Sequence, residues 1–322
     1  GSNLVYNFEK IKISEYYKLN YKLKTISFKN AKNKLKSIFN NAVNIRLRSD
    51  VKIASTLTSG LDSSSIVATI DKISQETINT YTVYSKNEDF KKNENKAYSN
   101  QINYDESRSI DYFSEYNLNP KKIKLRTDDY FENLTECIRY IESGHASAAI
   151  VAINQLYKEA RKNGHKVLLE GQGSDEIFGG YVTLLIYDFI KQNLFRPIFL
   201  YKSLKKITKL FSLKYLLLKH FNGFINYNFL LKLKILILRN NVTKELNLKN
   251  KFKNKNTFHF QQIEILRNLL IYGDSISMKN SIETRLPFLD YRLVDFANSL
   301  PLKYKFNENK GKFILRELMK DI

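Results

Sequence analysis

The stretch VKIASTLTSGLDSSSIVATI, residues 51–70, decides the fold class. It begins with β-forming residues up to Leu57, continues with small polar residues around Gly60, and ends in a run of helical character. The order of strand, tight loop and helix is typical of an α/β domain. In such domains ligands bind at the carboxyl ends of strands, which is where this loop falls.

The loop that follows Leu57 has the chemistry of an anion site. Small side chains let backbone N–H groups approach a phosphate, and the start of the next helix adds N–H donors and the positive end of its dipole. The hydroxyls of Thr58, Ser59, Ser63 and Ser64 can also donate. The GxxxxGK[ST] pattern of a Walker loop is missing. The carboxylate of Asp62 makes sense here if it holds Mg²⁺ that bridges phosphates; the alternative is an ordinary serine-rich helix cap.

Strand and helix patterns alternate along the first half of the chain. The sequence predicts an amphipathic helix at 30–48, strands at 78–85, 121–125 and 166–169, and helices at 105–116 and 147–162. This alternation predicts a parallel sheet with helices on both faces. No strand signal is found from about residue 183 onward, so we expect a mainly helical second half, with basic amphipathic helices in 184–240 and a polar loop at 241–257.

A second loop follows the predicted strand at 166–169. Its sequence, LLEGQGSDEIFGGY at 168–181, places Asp175 and Glu176 among four glycines. Glycines permit a close backbone approach. Asp175 could therefore share the Mg²⁺ of Asp62 from the neighbouring strand end, although a turn with exposed acids would have a similar composition.

Two further segments carry charged candidates. In SMKNSIETRLPFLDYRLVDFANSLP, residues 277–301, Arg285 and Asp290 either form a structural pair or face the site. In NKGKFILR, residues 309–316, Lys312 precedes an apolar helix start. An ammonium group at that place could stabilise charge on departing pyrophosphate or on an oxyanion.

Taken together, these segments resemble the synthetase domain of glutamine-dependent asparagine synthetases over roughly residues 33–318. The motifs SGGLDSS, GEGSDE-FGGY, E-R-PFLD and K-x-ILRE of that family occur here in the same order. The resemblance implies the adenine nucleotide α-hydrolase, or PP-loop, fold. It also implies a reaction in which ATP adenylates a carboxylate and releases pyrophosphate, after which ammonia or another amine forms an amide and releases AMP.

The resemblance also implies roles for individual residues. Asp62 and Asp175 would be the Mg²⁺ ligands and, with Lys312, the catalytic set. ATP would be bound by Leu57, Thr58, Ser59, Gly60, Asp62, Ser63, Ser64, Val83 and Gly173. Substrate would be contacted by Gln172, Glu176, Arg285 and Asp290.

Some positions depart from the family pattern. Thr58 and Ser59 replace Ser and Gly, but both are small and can donate hydrogen bonds. Gln172 stands where the family has Glu, and an amide cannot accept a proton as a carboxylate does. The segment IESGHASAA, residues 141–149, also differs. These departures suggest a carboxylate substrate other than aspartate, such as a sugar uronic acid or a lactam-forming amino-acid derivative, or a degenerate enzyme.

The resemblance assigns residues 31–322 to the synthetase domain, with an α/β nucleotide-binding part at 31–182 and a helical part at 183–322. Residues 1–30 resemble the linker that follows a glutaminase domain in the family. The glutaminase half itself is not recognised in the sequence. We therefore expect ammonia to come from a glutaminase domain or partner outside this sequence, or from solution.

The formal net charge is +21, from 53 Lys and Arg against 32 Asp and Glu. The basic residues are scattered and mostly Lys, so we do not expect nucleic-acid binding as the main role, and the field suits a polyanion such as ATP. Contact of the 184–240 helices with an anionic membrane remains the less favoured alternative to packing on the sheet. Two further alternatives are a PP-loop tRNA-modifying enzyme and a basic RNA- or membrane-binding module.

The single cysteine, Cys137, excludes a disulfide framework and is expected to be a small buried residue. No apolar run reaches the roughly 18 residues of a membrane-spanning helix. Both observations favour a cytoplasmic protein.

Overall fold

The computed structural model describes residues 1–74, 76–84, 110–111, 113–126, 128–144, 149–182, 185, 257–307 and 310–321. The strands are β1 (Ser2–Tyr6), β2 (Ile11–Glu15), β3 (Ile53–Thr56), β4 (Ile78–Tyr84), β5 (Leu118–Lys124), β6 (Val167–Leu169) and β7 (Glu283–Arg285). The helices are α1 (Phe28–Arg46), α2 (Leu61–Ile73), α3 (Tyr130–Ile141), α4 (Ala149–Lys162), α5 (Ser174–Phe178), α6 (Thr257–Phe260), α7 (Leu266–Lys279), α8 (Tyr291–Asn298), α9 (Leu302–Lys305) and α10 (Phe313–Met319). The helices predicted in 184–240 and nearly all of the loop predicted at 241–257 lie outside the described residues, as does much of the helix predicted at 105–116.

The chain divides into two compact units. The sheet unit consists of Ile26–Ser174, Glu264–Phe296 and Leu315–Ile322. The hairpin unit consists of Gly1–Thr25, Asp175–Ile263 and Ala297–Ile314. Each unit is therefore assembled from segments that are distant in the sequence.

The sheet unit contains a five-stranded sheet in the order β5-β4-β3-β6-β7. Every neighbouring pair is parallel, which confirms the predicted parallel sheet. The expectation that strands end before residue 183 was wrong, because β7 pairs with β6 in the register Leu168 to Thr284. The sequence Glu-Thr-Arg has no apolar pattern, so this strand is defined by its partner and not by its own propensity.

Helices cover both faces of the sheet. On one face, residues of β3, β4 and β6 pack with α3, α4 and α7 in a cluster that includes Tyr81, Leu168, Tyr157, Ile276 and Cys137. Cys137 is buried, as predicted. On the other face, Leu57 packs with Val67 of α2. The central strand β3 therefore has a hydrophobic layer on each side, as expected for a parallel sheet.

The strand predicted at 121–125 begins earlier, at Leu118, and runs through Pro120. A proline cannot donate a hydrogen bond to a strand ladder, so it is confined to edge strands and strand starts. β5 is at the edge of this sheet and pairs only with β4 in the described sheet. The edge position explains why Pro120 is tolerated.

The hairpin unit begins with the antiparallel pair β1–β2, which the sequence predicted only as a linker. Leu4 lies opposite Ile13, and Tyr6 lies opposite Ile11. Because alternate residues share a face of a strand, these four side chains lie on one face. Each is more than half exposed. In the described part of the chain, no helix is long and apolar enough to cross a membrane.

Candidate active site

The loop after β3 is closed by its own hydroxyl groups. The backbone N–H of Thr58 donates to Ser63 Oγ at 2.9 Å, and the two side-chain oxygens of Thr58 and Ser63 are also 2.9 Å apart. The N–H of Gly60 donates to Thr58 Oγ1 at 3.1 Å. These bonds fold the loop back on the first turn of α2. Ser59 and Gly60, at its tip, are exposed.

The start of α2 lacks a side-chain cap. Gly60 is the N-cap residue and makes no side-chain hydrogen bond. Ser63 and Ser64 instead donate to backbone carbonyls of the same turn. A helix start without a capping side chain leaves its N–H groups and positive dipole end available to an anion. Asp62 is partly buried in this first turn.

The loop after β6 lies directly against that turn. A Cβ atom placed on Gly171 would be 2.7 Å from Asp62 Cβ and 2.9 Å from the backbone nitrogen of Ser63. Such distances are too short for any side chain, so glycine is required for this close approach. The two predicted loops therefore meet within the sheet unit, at Gly171.

Two neighbours of Gly171 in the chain are also fixed by packing. Gly173 has φ +95° and lies against the side chain of Leu289. The amide of Gln172 lies over Gly273 of α7, where a Cβ atom would be 3.4 Å from Gln172 Oε1. The side chain of Gln172 therefore points towards α7.

The predicted adenine contacts lie in the strands beside the loop. Leu57 is fully buried, its N–H donates to the Tyr81 carbonyl at 3.0 Å, and its carbonyl accepts from the Thr82 hydroxyl. Val83 of β4 is partly buried and is paired with Ile123 of β5. A contact of either residue with adenine stays a prediction.

In the hairpin unit, Lys312 forms an ion pair with Asp175. Lys312 Nζ is 2.7 Å from Asp175 Oδ1, and the lysine side chain is 10% exposed. The backbone N–H of Lys312 donates to the Phe178 carbonyl at 3.2 Å. Lys312 has φ 55°, a left-handed conformation that is costly for a residue with a side chain. Two of the three predicted catalytic residues are thus paired with each other; Asp62 belongs to the sheet unit.

Glu176, a predicted substrate contact, is buried in the hairpin unit. Tyr181 donates its hydroxyl to Glu176 Oε1 at 2.8 Å, and Gln262 donates to the Glu176 carbonyl at 3.2 Å. Burial raises the pKa of Glu176, and the Tyr181 hydrogen bond opposes this.

Arg285 and Asp290 both hold the end of α1. Arg285 Nη1 donates to the carbonyls of Arg46 at 2.9 Å and Arg48 at 2.7 Å. Asp290 accepts from Arg292 at 2.8 Å and from Arg46 at 3.1 Å. The hydrogen bonds from Arg292 and Arg46 lower the pKa of Asp290 to about 2. These contacts are structural, and the predicted substrate role of the two residues stays a prediction.

Sequence reasoning missed one polar pair at the site. Tyr157 of α4 donates its hydroxyl to Oε1 of Glu170, at 2.7 Å, and both side chains are buried. Glu170 is the residue after β6 and precedes Gly171. An acidic residue at the end of the apolar run Val167–Leu169 was the available signal, because buried carboxylates are rare and need a partner.

The loops contain donors and acceptors that fit ATP with Mg²⁺. Nucleotide-bound Mg²⁺ takes one or two carboxylates together with phosphate and water oxygens. Asp62 supplies a carboxylate in the turn where phosphates would meet the α2 N–H groups. Among the residues that the structure describes, no cluster of three or more His, Cys, Asp or Glu side chains could hold a metal by itself.

A parallel sheet whose central strand ends in this hydroxyl-rich loop and uncapped helix start defines an α/β domain with a candidate anion site at the end of that strand. The chain belongs to the asparagine synthase family, since the family profile described as Asparagine synthase matches residues 34–322.

Individual relatives cover nearly the whole chain. It is 26% identical to asparagine synthetase [glutamine-hydrolyzing] 3 of Bacillus subtilis strain 168, over 99% of this chain and 50% of that protein. It is 26% identical to asparagine synthetase [glutamine-hydrolyzing] 1 of the same strain, over 97% of this chain and 50% of that protein. The chain thus spans about half the length of these curated relatives.

Among solved structures, an NH3-dependent NAD synthetase from Campylobacter jejuni, in complex with nitrate, aligns with 48% of this chain and 61% of its own. The TM-score is 0.28 and the sequence identity is 15%.

Proposed function

We propose that the chain is an ATP-dependent, AMP-forming amide ligase of the asparagine synthetase type. The observation that carries the proposal is the turn at the start of α2. An uncapped helix start, several hydroxyl groups and the close approach of Gly171 to Asp62 occur together there, and this combination suits the binding of a polyphosphate. The match of the family profile to residues 34–322 supports the same reading.

In the first step, a carboxylate oxygen of the substrate attacks the α-phosphorus of ATP and pyrophosphate leaves. Ser59, Gly60 and Ser63 hold the β and γ phosphates from the loop and the helix start. Asp62 and Asp175 are the residues that would hold Mg²⁺, and the ion would supply positive charge for the phosphate oxygens. Lys312, already placed by its backbone and by Asp175, stabilises the negative charge that develops on phosphorus.

In the second step, the nitrogen of ammonia or an amine attacks the acyl carbon. The new C–N bond replaces the C–O bond to AMP, which leaves. The relatives from Bacillus subtilis are named glutamine-hydrolyzing. We therefore propose that ammonia reaches this site from glutamine hydrolysed by a glutaminase domain or partner. A cytoplasmic location, where ATP is available, accords with this chemistry.

ATP–pyrophosphate exchange tests the first step directly. Labelled pyrophosphate should enter ATP only when a suitable carboxylate is present, and a screen should include aspartate and uronic acids. Asp62→Asn should lower exchange by at least about 100-fold, because it removes a charge at the phosphates. Asp50→Asn, at an exposed position before β3, is the matched control and should retain exchange. Full exchange in Asp62→Asn would exclude Asp62 from the mechanism.

A second candidate substrate class follows from Gln172. In place of a carboxylate, this position offers a neutral amide that lies against Gly273. We propose that this change favours a carboxylate other than aspartate, such as a sugar uronic acid or a lactam-forming amino-acid derivative. Gln172→Glu should then shift the exchange profile between carboxylates. An unchanged profile would mean that Gln172 does not face the substrate.

Two other functions give different results in the same assay. A PP-loop tRNA-modifying enzyme would consume ATP only when tRNA is added. A basic binding module would bind RNA or anionic vesicles without ATP, and its affinity would fall steeply with salt.

A further inference from the structure

Two contacts that place Lys312 are made by the short helix α5. Lys312 Nζ pairs with Asp175 at 2.7 Å, and the backbone N–H of Lys312 donates to the Phe178 carbonyl at 3.2 Å. The turn after α5 is packed closely under this pair. A Cβ atom on Gly180 would overlap the Asp175 carboxylate and lie 2.6 Å from Lys312 Cε. A shift of α5 would therefore displace the Lys312 ammonium.

Gln262 anchors α5 from a buried position. Its Nε2 donates to the carbonyl of Glu176, the residue after Asp175, at 3.2 Å. The same amide forms a reciprocal pair with Asn298, in which Nε2 donates to Asn298 Oδ1 at 2.7 Å and Oε1 accepts from Asn298 Nδ2 at 3.0 Å. Both amide side chains are buried. Because a buried polar group without a partner is costly, these bonds confine the Gln262 side chain to one orientation.

A further bond to Gln262 comes from the N-terminal segment. The Tyr21 hydroxyl donates to Gln262 Oε1 at 3.1 Å, although the two residues are 241 positions apart in the sequence. Tyr21 is partly buried, and its ring centroid lies 5.6 Å from that of His259. Burial raises the pKa of Tyr21, so its hydroxyl remains protonated and can donate at neutral pH. The stretch that the sequence predicted only as a linker therefore reaches α5 through the Gln262 side chain.

We propose that Tyr21 and Gln262 are positioning residues for the adenylation step, because together they hold the helix that places Lys312. This proposal rests on the proposed ligase function. Tyr21 acts through Gln262, Gln262 acts through the Glu176 carbonyl, and α5 acts through its two contacts with Lys312. All these side chains and Asp175 belong to the hairpin unit, so the series of contacts lies within one compact unit. The segment around Tyr21 is then part of the synthetase site.

The chemistry of these contacts determines which kinetic parameter should change. They consist of a hydroxyl, two amides and a backbone carbonyl, so substitutions among them leave the charge of the site unaltered. Lys312 is assigned to the charge that develops on phosphorus. Loss of an interaction made in the transition state lowers kcat, whereas loss of ground-state binding raises KM. A role in stability alone would lower the unfolding free energy and leave kcat of the folded protein unchanged.

The test removes one hydroxyl at each of two tyrosines in the same segment. Tyr21→Phe keeps the ring and removes the donor to Gln262, while Tyr16→Phe makes the same change at a residue that is 69% exposed. Tyr21→Phe should lower kcat of carboxylate-dependent ATP–pyrophosphate exchange by roughly 3- to 10-fold, with KM for ATP within about twofold of the wild type. Gln262→Leu should lower kcat by roughly 10- to 100-fold. Tyr16→Phe should retain the wild-type kcat.

A second measurement follows Lys312 without turnover. Trace labelling of the native protein with acetic anhydride, quantified by mass spectrometry against the exposed Lys320, reports the accessibility of the Lys312 amine. The Lys312 side chain is 10% exposed and paired with Asp175, so its labelling in the wild type should be slow. Labelling should increase by roughly 3- to 10-fold in Tyr21→Phe, as expected for one lost hydrogen bond, and further in Gln262→Leu.

Unchanged kcat or unchanged Lys312 labelling in Tyr21→Phe, with the variant folded as the wild type by circular dichroism, would overturn the proposal. An equal loss of kcat in Tyr16→Phe would overturn it as well. If the wild type showed no exchange on any carboxylate, the ligase function would fail instead, and the labelling of Lys312 would still decide whether Tyr21 positions it.

Discussion

Substitution of Gly171 by alanine tests the contact between the two loops. The added Cβ would lie 2.7 Å from Asp62 Cβ, whereas ordinary contacts begin at 3.4 Å, so Asp62 or the loop must withdraw by 0.7 Å, the difference between 3.4 and 2.7. The clash also involves the backbone of Ser63 at 2.9 Å, which cannot rotate away. Overpacking of this kind costs about 1–3 kcal/mol of unfolding free energy.

The functional effect should exceed what this loss of stability explains. A displacement approaching 1 Å at a reacting group costs up to about 100-fold in rate. We therefore expect Gly171→Ala to lower ATP–pyrophosphate exchange by roughly 10- to 100-fold under conditions where the variant is still folded. Urea unfolding followed by circular dichroism measures the stability, and the exchange assay measures the displacement of Asp62.

Gly144→Ala provides the matched control. A Cβ atom at Gly144 would meet nothing within 4 Å. Its unfolding free energy should stay within about 0.5 kcal/mol of the wild type, so it is the control for stability. If Gly171→Ala were as stable as Gly144→Ala and kept the exchange of the wild type, the close approach of the second loop to α2 would be refuted.

Three further substitutions test buried charges by urea unfolding across pH. Burial raises the pKa of Glu170 from 4.5 to about 7, so the folded state loses stability as pH rises from 4.5 to 7. Glu170→Gln should remove this loss and be more stable than the wild type by at most about 3 kcal/mol above pH 7. The same pH dependence of stability in both proteins would contradict this expectation. Burial lowers the pKa of Lys305 from 10.5 to about 7, so the stability of the wild type should increase as pH rises from 7 to 10.5. Lys305→Met should not show this increase and should be more stable than the wild type at pH 7. A less stable variant at pH 7 would show that the contact of the Lys305 ammonium with the Phe258 ring stabilises the fold by more than burial of the ammonium costs. The hydrogen bonds from Arg292 and Arg46 lower the pKa of Asp290 from 3.8 to about 2, so its contribution to stability is present above pH 3.8 and is lost as pH falls through 2. Asp290→Asn should lower the unfolding free energy by about 2 kcal/mol at pH 7. Equal stability of variant and wild type at pH 7 would refute the role of Asp290 in holding α1.

The core of the sheet could be predicted from sequence because its signals are local. An apolar strand, a run of small residues and a helix start follow one another within residues 51–70, and this fixes the loop and the direction of β3. The same holds for the strand before Gly171. By contrast, β7 consists of Glu283–Arg285, whose strand character depends on pairing with β6, a partner more than a hundred residues away.

Pairings across elements could not be read from the sequence. The ion pair of Lys312 with Asp175 and the hydrogen bond of Tyr157 to Glu170 both depend on how separate segments pack. The roles of Arg285 and Asp290 could not be predicted for the same reason, because the sequence around them is compatible with either a structural or a functional role. Only the structure placed them at the end of α1.

The β1–β2 ribbon should affect how the protein associates with itself in solution. Its apolar face, formed by Leu4, Tyr6, Ile11 and Ile13, meets water, and both of its long edges are unpaired in the described two-stranded sheet. A sheet of two strands is only marginally stable by itself, and exposed apolar faces with unpaired strand edges favour association between molecules. Protein that carries the ribbon uncovered should therefore scatter more light as its concentration rises, despite a net charge of +21 that pushes copies apart.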